Sequence, residues 1–213
     1  MKILVTAGPT REAIDPVRFL SNRSSGRMGY AIATVARDAG HIVRLISGPV
    51  ALSTPTGVER IDVISAHELA AAVLAALPWC DALIMAAAVA DWRPVTTSDV
   101  KLKKQAGPLT LELERTEDVL GLVQPLKGNR IVVGFAAETG DPVPEATRKL
   151  SAKGLDMIVA NDISQPNAGF EVETNAVTLI EADGTTRQID TAPKAKIAAA
   201  IVAWVERHAR RDV

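Results

Sequence analysis

Short apolar runs alternate with helical patterns along most of this chain. That alternation restricts it to an α/β fold of βαβ units around a mostly parallel sheet covered on both faces. Ile3 to Ala7 is the first strand, and Met28, Ile32, Val35, Ala36 and Ala39 then recur at helical spacing before Gly40 supplies a stop. A strand over Ile42 to Ser47, an alanine-rich helix over Ala66 to Leu77 and a continuously apolar strand over Ala82 to Val89 follow. The last of these is expected at the centre of the sheet, because it has no polar face to turn to water. The pattern loosens between Asp91 and Leu113, where a polar stretch and the alternating Leu109, Leu111 and Leu113 predict a strand-rich flap. Regular alternation resumes with a helix near Asp118 to Leu126, a strand over Ile131 to Ala136, a helix near Pro144 to Lys153 and a strand over Met157 to Ala160. Val177 and Leu179 lead to a hairpin turn at Asp183-Gly184, and Ile197, Ile201, Trp204, Val205 and His208 mark a terminal amphipathic helix.

No repeat or linker divides the 213 residues, so a single domain over 1–213 is expected, with 47% hydrophobic residues enough to bury a good core. Twenty-four basic residues against 25 acidic ones leave a net charge of -1, which offers no broad attraction to nucleic acid or to an anionic membrane. Anion binding must therefore be local. A single cysteine, Cys80, excludes an internal disulfide framework. No secretory signal or membrane span is visible, and a cytoplasmic location is expected.

The segment TAGPTREAIDPVRFLSNRSSGRMG, from Thr6 to Gly29, separates the first strand from its helix. Loops that long inside a compact domain are usually functional or disordered, and this one carries Arg11, Arg18, Asn22 and Arg23 in place of a flexible-linker composition. It reads as a site for an anionic ligand, since guanidinium groups match phosphate and carboxylate oxygens. Each arginine taken singly is equally a solvated loop charge. A dinucleotide fingerprint is missing, because Gly8 is followed by Pro9-Thr10-Arg11 and the next glycine is Gly26. What remains is SSGRMG at a helix start. Ser24 or Ser25 is expected to cap it, with free backbone N–H groups available to a phosphate, or with Gly26 and Gly29 serving only close helix–sheet packing.

Three further places invite a ligand. AAAVADWRP turns abruptly from apolar to polar at Asp91 after the most buried strand, and ligands collect at the carboxyl ends of parallel strands. Ala86, Ala87 and Ala88 leave room for a flat ring, or simply for a tightly packed helix. Lys101, Lys103 and Lys104 would guard an exposed strand or lie over a triphosphate. Lys149 and Lys153, four apart, share a helix face that is either solvated or part of a positive pocket. His41, His67 and His208 lack metal-site spacing, and no Walker A loop or G-x-S-x-G elbow occurs.

In their order along the chain, VTAGPTREAIDPVRFLSNRSSGRMGYAIA, AAAVADWRP, KLKKQ, VGFAAET and KLSAKGLDMIVAND resemble the phosphopantothenate–cysteine ligase domain of bacterial coenzyme A biosynthesis. The resemblance spans nearly the whole chain. It implies a Rossmann-like three-layer fold, CTP as nucleotide, and a divalent cation, normally Mg2+. It also implies two steps: the carboxylate of 4'-phosphopantothenate attacks the α-phosphate to give an acyl-cytidylate and pyrophosphate, and the amine of L-cysteine then displaces CMP. By the same resemblance Asn22 holds the acyl intermediate with Arg18 as a neighbouring anion partner. Ala87, Ala88 and Asp91 line the cytidine pocket, and Gly26 belongs to the nucleotide-binding loop. Lys101 faces the phosphates, Phe135 packs near the base, and Lys149 and Lys153 complete the nucleotide site. Bacterial members often show an asparagine–proline pair where this chain has Arg115-Thr116-Glu117-Asp118, which puts the nucleotide contacts there in doubt. The family implies a homodimer, with the middle segment as a place of exchange between subunits. It also implies a flavin-dependent decarboxylase half in bifunctional members, so that this sequence is a stand-alone ligase or an excised domain. An NAD(P)-dependent reductase, disfavoured by Thr34 four residues after the sole tyrosine Tyr30, and a non-catalytic nucleotide-binding regulatory domain are the alternatives.

Overall fold

The computed structural model describes residues 1–104, 106–164 and 172–209. Its first half runs β1 (Lys2–Ala7), β2 (Arg11–Ala13), β3 (Phe19–Ser21), α1 (Arg27–Asp38), β4 (Ile42–Ser47), β5 (Glu59–Asp62), α2 (Ala66–Ala76), β6 (Ala82–Met85) and β7 (Trp92–Pro94). The second half runs β8 (Leu113–Arg115), α3 (Val119–Val123), β9 (Ile131–Glu138), α4 (Val143–Ala152), β10 (Met157–Asp162), β11 (Thr174–Glu181), β12 (Thr186–Pro193) and α5 (Lys194–Ala209).

Eight strands form one sheet in the order β12-β11-β10-β9-β6-β1-β4-β5, parallel from β10 to β5 and closed at one edge by the antiparallel β11–β12 hairpin. The period-two alternation of strand side chains divides the core. Ile3 and Val5 pack with α1 and α5 on one face, while Leu4, Ile46 and Leu83 pack with α2, α3 and α4 on the other. Strands buried on both sides explain the apolar runs. The expected three-layer α/β fold is the one observed, and Gly184 sits at φ +88° in the anticipated hairpin turn.

Several expectations need correction. The strand over Ala82 to Val89 ends at Met85, because the chain beyond it leaves the sheet for the loop after β1. There the Ala87 amide donates to Thr6 Oγ1 at 3.1 Å and the Ala88 amide to the Gly8 carbonyl at 2.9 Å. Neither serine caps α1: its N-cap is Gly26, at φ +79° and without a side-chain hydrogen bond. Ser24 Oγ instead accepts from the Gly26 amide at 3.3 Å. The polar loop contains its own hairpin, β2–β3, and the polar strand β5 extends the sheet beyond β4; both lack an apolar signal.

The middle segment does contain an antiparallel pair, β7 with β8, in the register Trp92 to Arg115. Gln105 of the KLKKQ string lies outside the described residues. Gly29 explains how close α1 comes to the sheet: a Cβ there would meet the Ala7 Cβ at 2.5 Å and the Thr6 carbonyl at 2.7 Å. No helix among the described residues is long and apolar enough to cross a membrane.

Candidate functional site

The chain runs from β1 outward to β4 and β5, then returns to the other side of β1 as β6 and β9. That reversal makes the β1/β6 boundary a topological switch point, where the loops after adjacent strands part and leave a crevice. A cleft of about 970 Å³ opens there, across the carboxyl ends of β6, β9 and β10.

Its floor is the Ala86–Val89 backbone. Ala88 is bridged to Pro9, and Thr10 ties the two loops by donating its amide to the Ala88 carbonyl at 3.2 Å and accepting the Ala90 amide on Oγ1 at 2.9 Å. The alanines are half-buried and leave the floor open to a ligand. Asn22, from the loop after β3, reaches across it: its Nδ2 donates to the Ala88 and Val89 carbonyls at 3.2 and 2.9 Å.

One end of the cleft lies on the α3/α4 face. Lys149 Nζ donates to the Phe135 carbonyl at 2.9 Å, and Phe135 lines the wall beside it. Burial pushes the Lys149 ammonium below its ordinary value, against the opposing pull of Asp91, Glu138 and Asp118. Lys153 pairs with Asp118. Burial alone would raise the Asp118 carboxyl, yet the Lys153 ammonium and the Gly121 amide outweigh it and hold it below its ordinary value. The other end lies on the α1/α5 face and is lined by Gly26, Arg27, Asn175 and Lys194.

The cleft thus brings together Asn22, Gly26, Ala87, Ala88, Asp91, Phe135, Lys149 and Lys153. It does not bring in Arg18 or Lys101. Arg18 pairs with Asp15 at 2.7 Å, and its other terminal contact is the Leu102 carbonyl at 2.6 Å. Lys101 is exposed on the segment held by that contact, as are Lys103 and Lys104. Arg11 covers the Phe19 ring, with 4.5 Å to its centroid, whereas Arg23 lines the cleft.

The Arg115–Asp118 stretch closes the wall above Asp91. Thr116 donates its amide to the Asp91 carbonyl at 3.1 Å and its hydroxyl to the Ala90 carbonyl at 2.5 Å, while Asp118 Oδ1 caps α3 through the Gly121 amide at 3.0 Å. Asn161, Asn175, Glu138, Arg148, Arg27 and Lys194 escaped sequence reasoning. Asn161 and Asn175 lie within β10 and β11, near the ends of those strands, and Lys194 opens α5, positions that carry no periodic signal.

A family model described as the DNA/pantothenate metabolism flavoprotein C-terminal domain matches residues 1–208. The chain belongs to that family. It is 52% identical over 188 residues to the coenzyme A biosynthesis bifunctional protein CoaBC of Bacillus subtilis, a match covering 88% of this chain and 46% of that protein. It is 45% identical over 203 residues to a cysteine/cysteine sulfinic acid decarboxylase from an unknown prokaryotic organism, covering 94% of this chain and 56% of that one. The chain therefore spans about half the length of the curated relatives it matches. A crystal structure of the C-terminal domain of CoaBC is 41% identical, with a TM-score of 0.83 over 97% of this chain and 94% of that chain.

Proposed function

We propose that this chain ligates 4'-phosphopantothenate and L-cysteine to 4'-phosphopantothenoylcysteine, with CTP as the activating nucleotide and an acyl-cytidylate as intermediate. The observation that carries the reading is the arrangement of the cleft, in which the amide of Asn22 lies over the alanine floor, with lysines at the α3/α4 end. Relatives named for coenzyme A biosynthesis support it.

In the first step a carboxylate oxygen of the acid attacks the α-phosphorus of CTP and pyrophosphate leaves. Lys149 and Lys153 neutralise triphosphate charge in a partly desolvated wall, where such donors act more strongly than in water. Ala87 and Ala88 admit the nucleoside close to the backbone, Phe135 packs against the base, and Asp91 accepts hydrogen bonds from ribose or base. In the second step the cysteine amine attacks the acyl carbonyl, loses a proton and expels CMP. Asn22 holds that carbonyl in place.

Mg2+ would bring charge neutralisation to the triphosphate. Among the described residues no group of three or more His, Cys, Asp or Glu is arranged to hold a metal. This fits a cation carried mainly by substrate phosphates, with Asp91 and Glu138 as the cleft carboxylates able to complete its oxygen shell. Arg18 and Lys101 serve the site from the Asp15-anchored segment, and a homodimer would carry that segment to a neighbouring cleft. In longer relatives a flavin-dependent decarboxylase half would consume the product.

Pyrophosphate release from CTP, with Mg2+ and with and without phosphopantothenate and cysteine, tests the proposal. Release dependent on phosphopantothenate, with CMP and amide formed on adding cysteine, is expected. A nicotinamide-dependent reductase would instead bind NADPH without releasing pyrophosphate, and a regulatory domain would bind nucleotide without turnover.

A further inference from the structure

Asp91 lines the cleft with an exposed side chain that makes no hydrogen bond or ion pair among the described residues. Its charge favours the Lys149 ammonium, so the carboxylate stands toward the nucleotide end of the cleft. Where that carboxylate points is therefore set by the backbone that carries it. Three consecutive backbone groups there are gripped. The Ala90 amide donates to Thr10 Oγ1 at 2.9 Å, the Ala90 carbonyl accepts from Thr116 Oγ1 at 2.5 Å, and the Asp91 carbonyl accepts the Thr116 amide at 3.1 Å.

The two threonines come from opposite sides of the site. Thr10, 1% exposed, lies in the loop after β1, and Thr116 follows β8 in the wall above. Ala90 is itself only 6% exposed, so a backbone group deprived of its hydroxyl has little water to turn to. A buried polar group without a partner is costly, and the relief open to this one is a shift of the Ala90–Asp91 peptide toward solvent, which carries the Asp91 carboxylate with it. Thr10 also holds the site through groups other than its hydroxyl: its amide donates to the Ala88 carbonyl at 3.2 Å, and its carbonyl accepts from Ser21 Oγ at 2.7 Å. Valine at position 10 keeps those contacts and the shape of the side chain, and so releases Ala90 without releasing the strand that leads to Asn22.

We propose that Thr10 and Thr116 form a hydroxyl clamp on Ala90 that aims Asp91 at the nucleoside. This rests on the ligase reading, in which Asp91 meets CTP. A hydroxyl both accepts and donates, so one residue type satisfies both backbone groups of Ala90, Thr10 as acceptor and Thr116 as donor. Neither brings a charge beside Asp91. A lysine in the place of Thr116 would draw the carboxylate away from the ligand, and a carboxylate in the place of Thr10 would repel it. The neutral clamp leaves Asp91 unpaired and already oriented, which lowers the ordering cost that binding must meet. Both threonines are positioning residues in this scheme and touch no substrate.

A double-mutant cycle read in the KM for CTP during pyrophosphate release tests the clamp. Thr10→Val and Thr116→Val should each raise that KM about 5- to 10-fold and leave the KM for phosphopantothenate and for cysteine nearly unchanged. Thr10→Ser and Thr116→Ser, which keep the hydroxyl, should stay within about twofold of wild type. In an Asp91→Ala background, whose own KM for CTP is raised, either valine should add no more than about twofold, because the threonines act only through the carboxylate. An undiminished increment in that background, or equal rises for all three substrates, would overturn the clamp and leave the threonines as parts of the fold. Should Thr10→Val fail to fold, the Thr116→Val arm of the cycle decides. Wild type that binds CTP in calorimetric titration without releasing pyrophosphate sinks the ligase reading alone, and the same cycle is then read in the Kd for CTP. Wild type that binds no CTP removes the clamp.

Discussion

The side-chain amide of Asn22 donates to the Val89 carbonyl at 2.9 Å, so a loop that follows β3 is fastened to the loop that follows β6. The same amide also reaches the Ala88 carbonyl, which leaves Asn22 positioned over the floor without any charge of its own. Asn22→Asp replaces that donor with a carboxylate facing two carbonyl oxygens. We expect a stability loss of about 1–3 kcal/mol and an amide-forming step slowed more than tenfold, with pyrophosphate release less affected. Rapid-quench measurement of the two half-reactions separates the effects, and unchanged amide formation would refute the role of Asn22.

Lys101 is exposed and has no side-chain hydrogen bond or ion pair among the described residues, whereas its neighbour Leu102 is held at both backbone groups, by Asp15 and by Arg18. Lys101→Gln should therefore leave the melting temperature unaltered and still reduce pyrophosphate release at least tenfold. Full release from the variant would remove Lys101 from the catalytic set.

Asp15 gathers the amides of Val17, Arg18 and Leu102 and the guanidinium of Arg18 around one buried carboxylate. Burial raises its pKa, but those donors outweigh it and hold it well below the ordinary value. A depressed carboxyl contributes stability that is present above its unfolded pKa, about 3.9, and is lost as pH falls toward the folded value. Asp15→Asn should lower the melting temperature at pH 7. The gap to wild type should narrow in scans below about pH 4; a gap independent of pH would show that shape, not charge, matters there.

Gly29 lies where α1 touches β1, and the Cβ of an alanine there would fall 2.5 Å from the Ala7 Cβ. Gly29→Ala should cost about 1–3 kcal/mol by pushing α1 off the sheet and widening the cleft at Gly26. Urea unfolding at pH 7 measures the loss; a wild-type midpoint would mean that the helix moves away freely.

The sequence by itself determined the α/β alternation, because strands buried on two faces must be apolar at every position and amphipathic helices must repeat their apolar residues near every fourth. Ile42–Ser47 and the central β9 and β10 were legible for that reason. Within the site, Asp91 stood out where an apolar run turns abruptly polar, whereas Asn22, Lys149 and Lys153 were marked by the family resemblance of the segments that carry them. The short hairpin β2–β3 and the polar strand β5 were not legible, since three or four residues with no apolar face carry no period. Only the tertiary structure turned β6 off the sheet at Met85, paired Asp118 with Lys153, and set Arg18 and Lys101 apart from the cleft. Only the structure, too, brought Lys194 beside Arg27, although 166 residues separate them in the chain. A side chain's partners across such a span depend on strand order and on which face each helix covers, and neither is encoded in local periodicity.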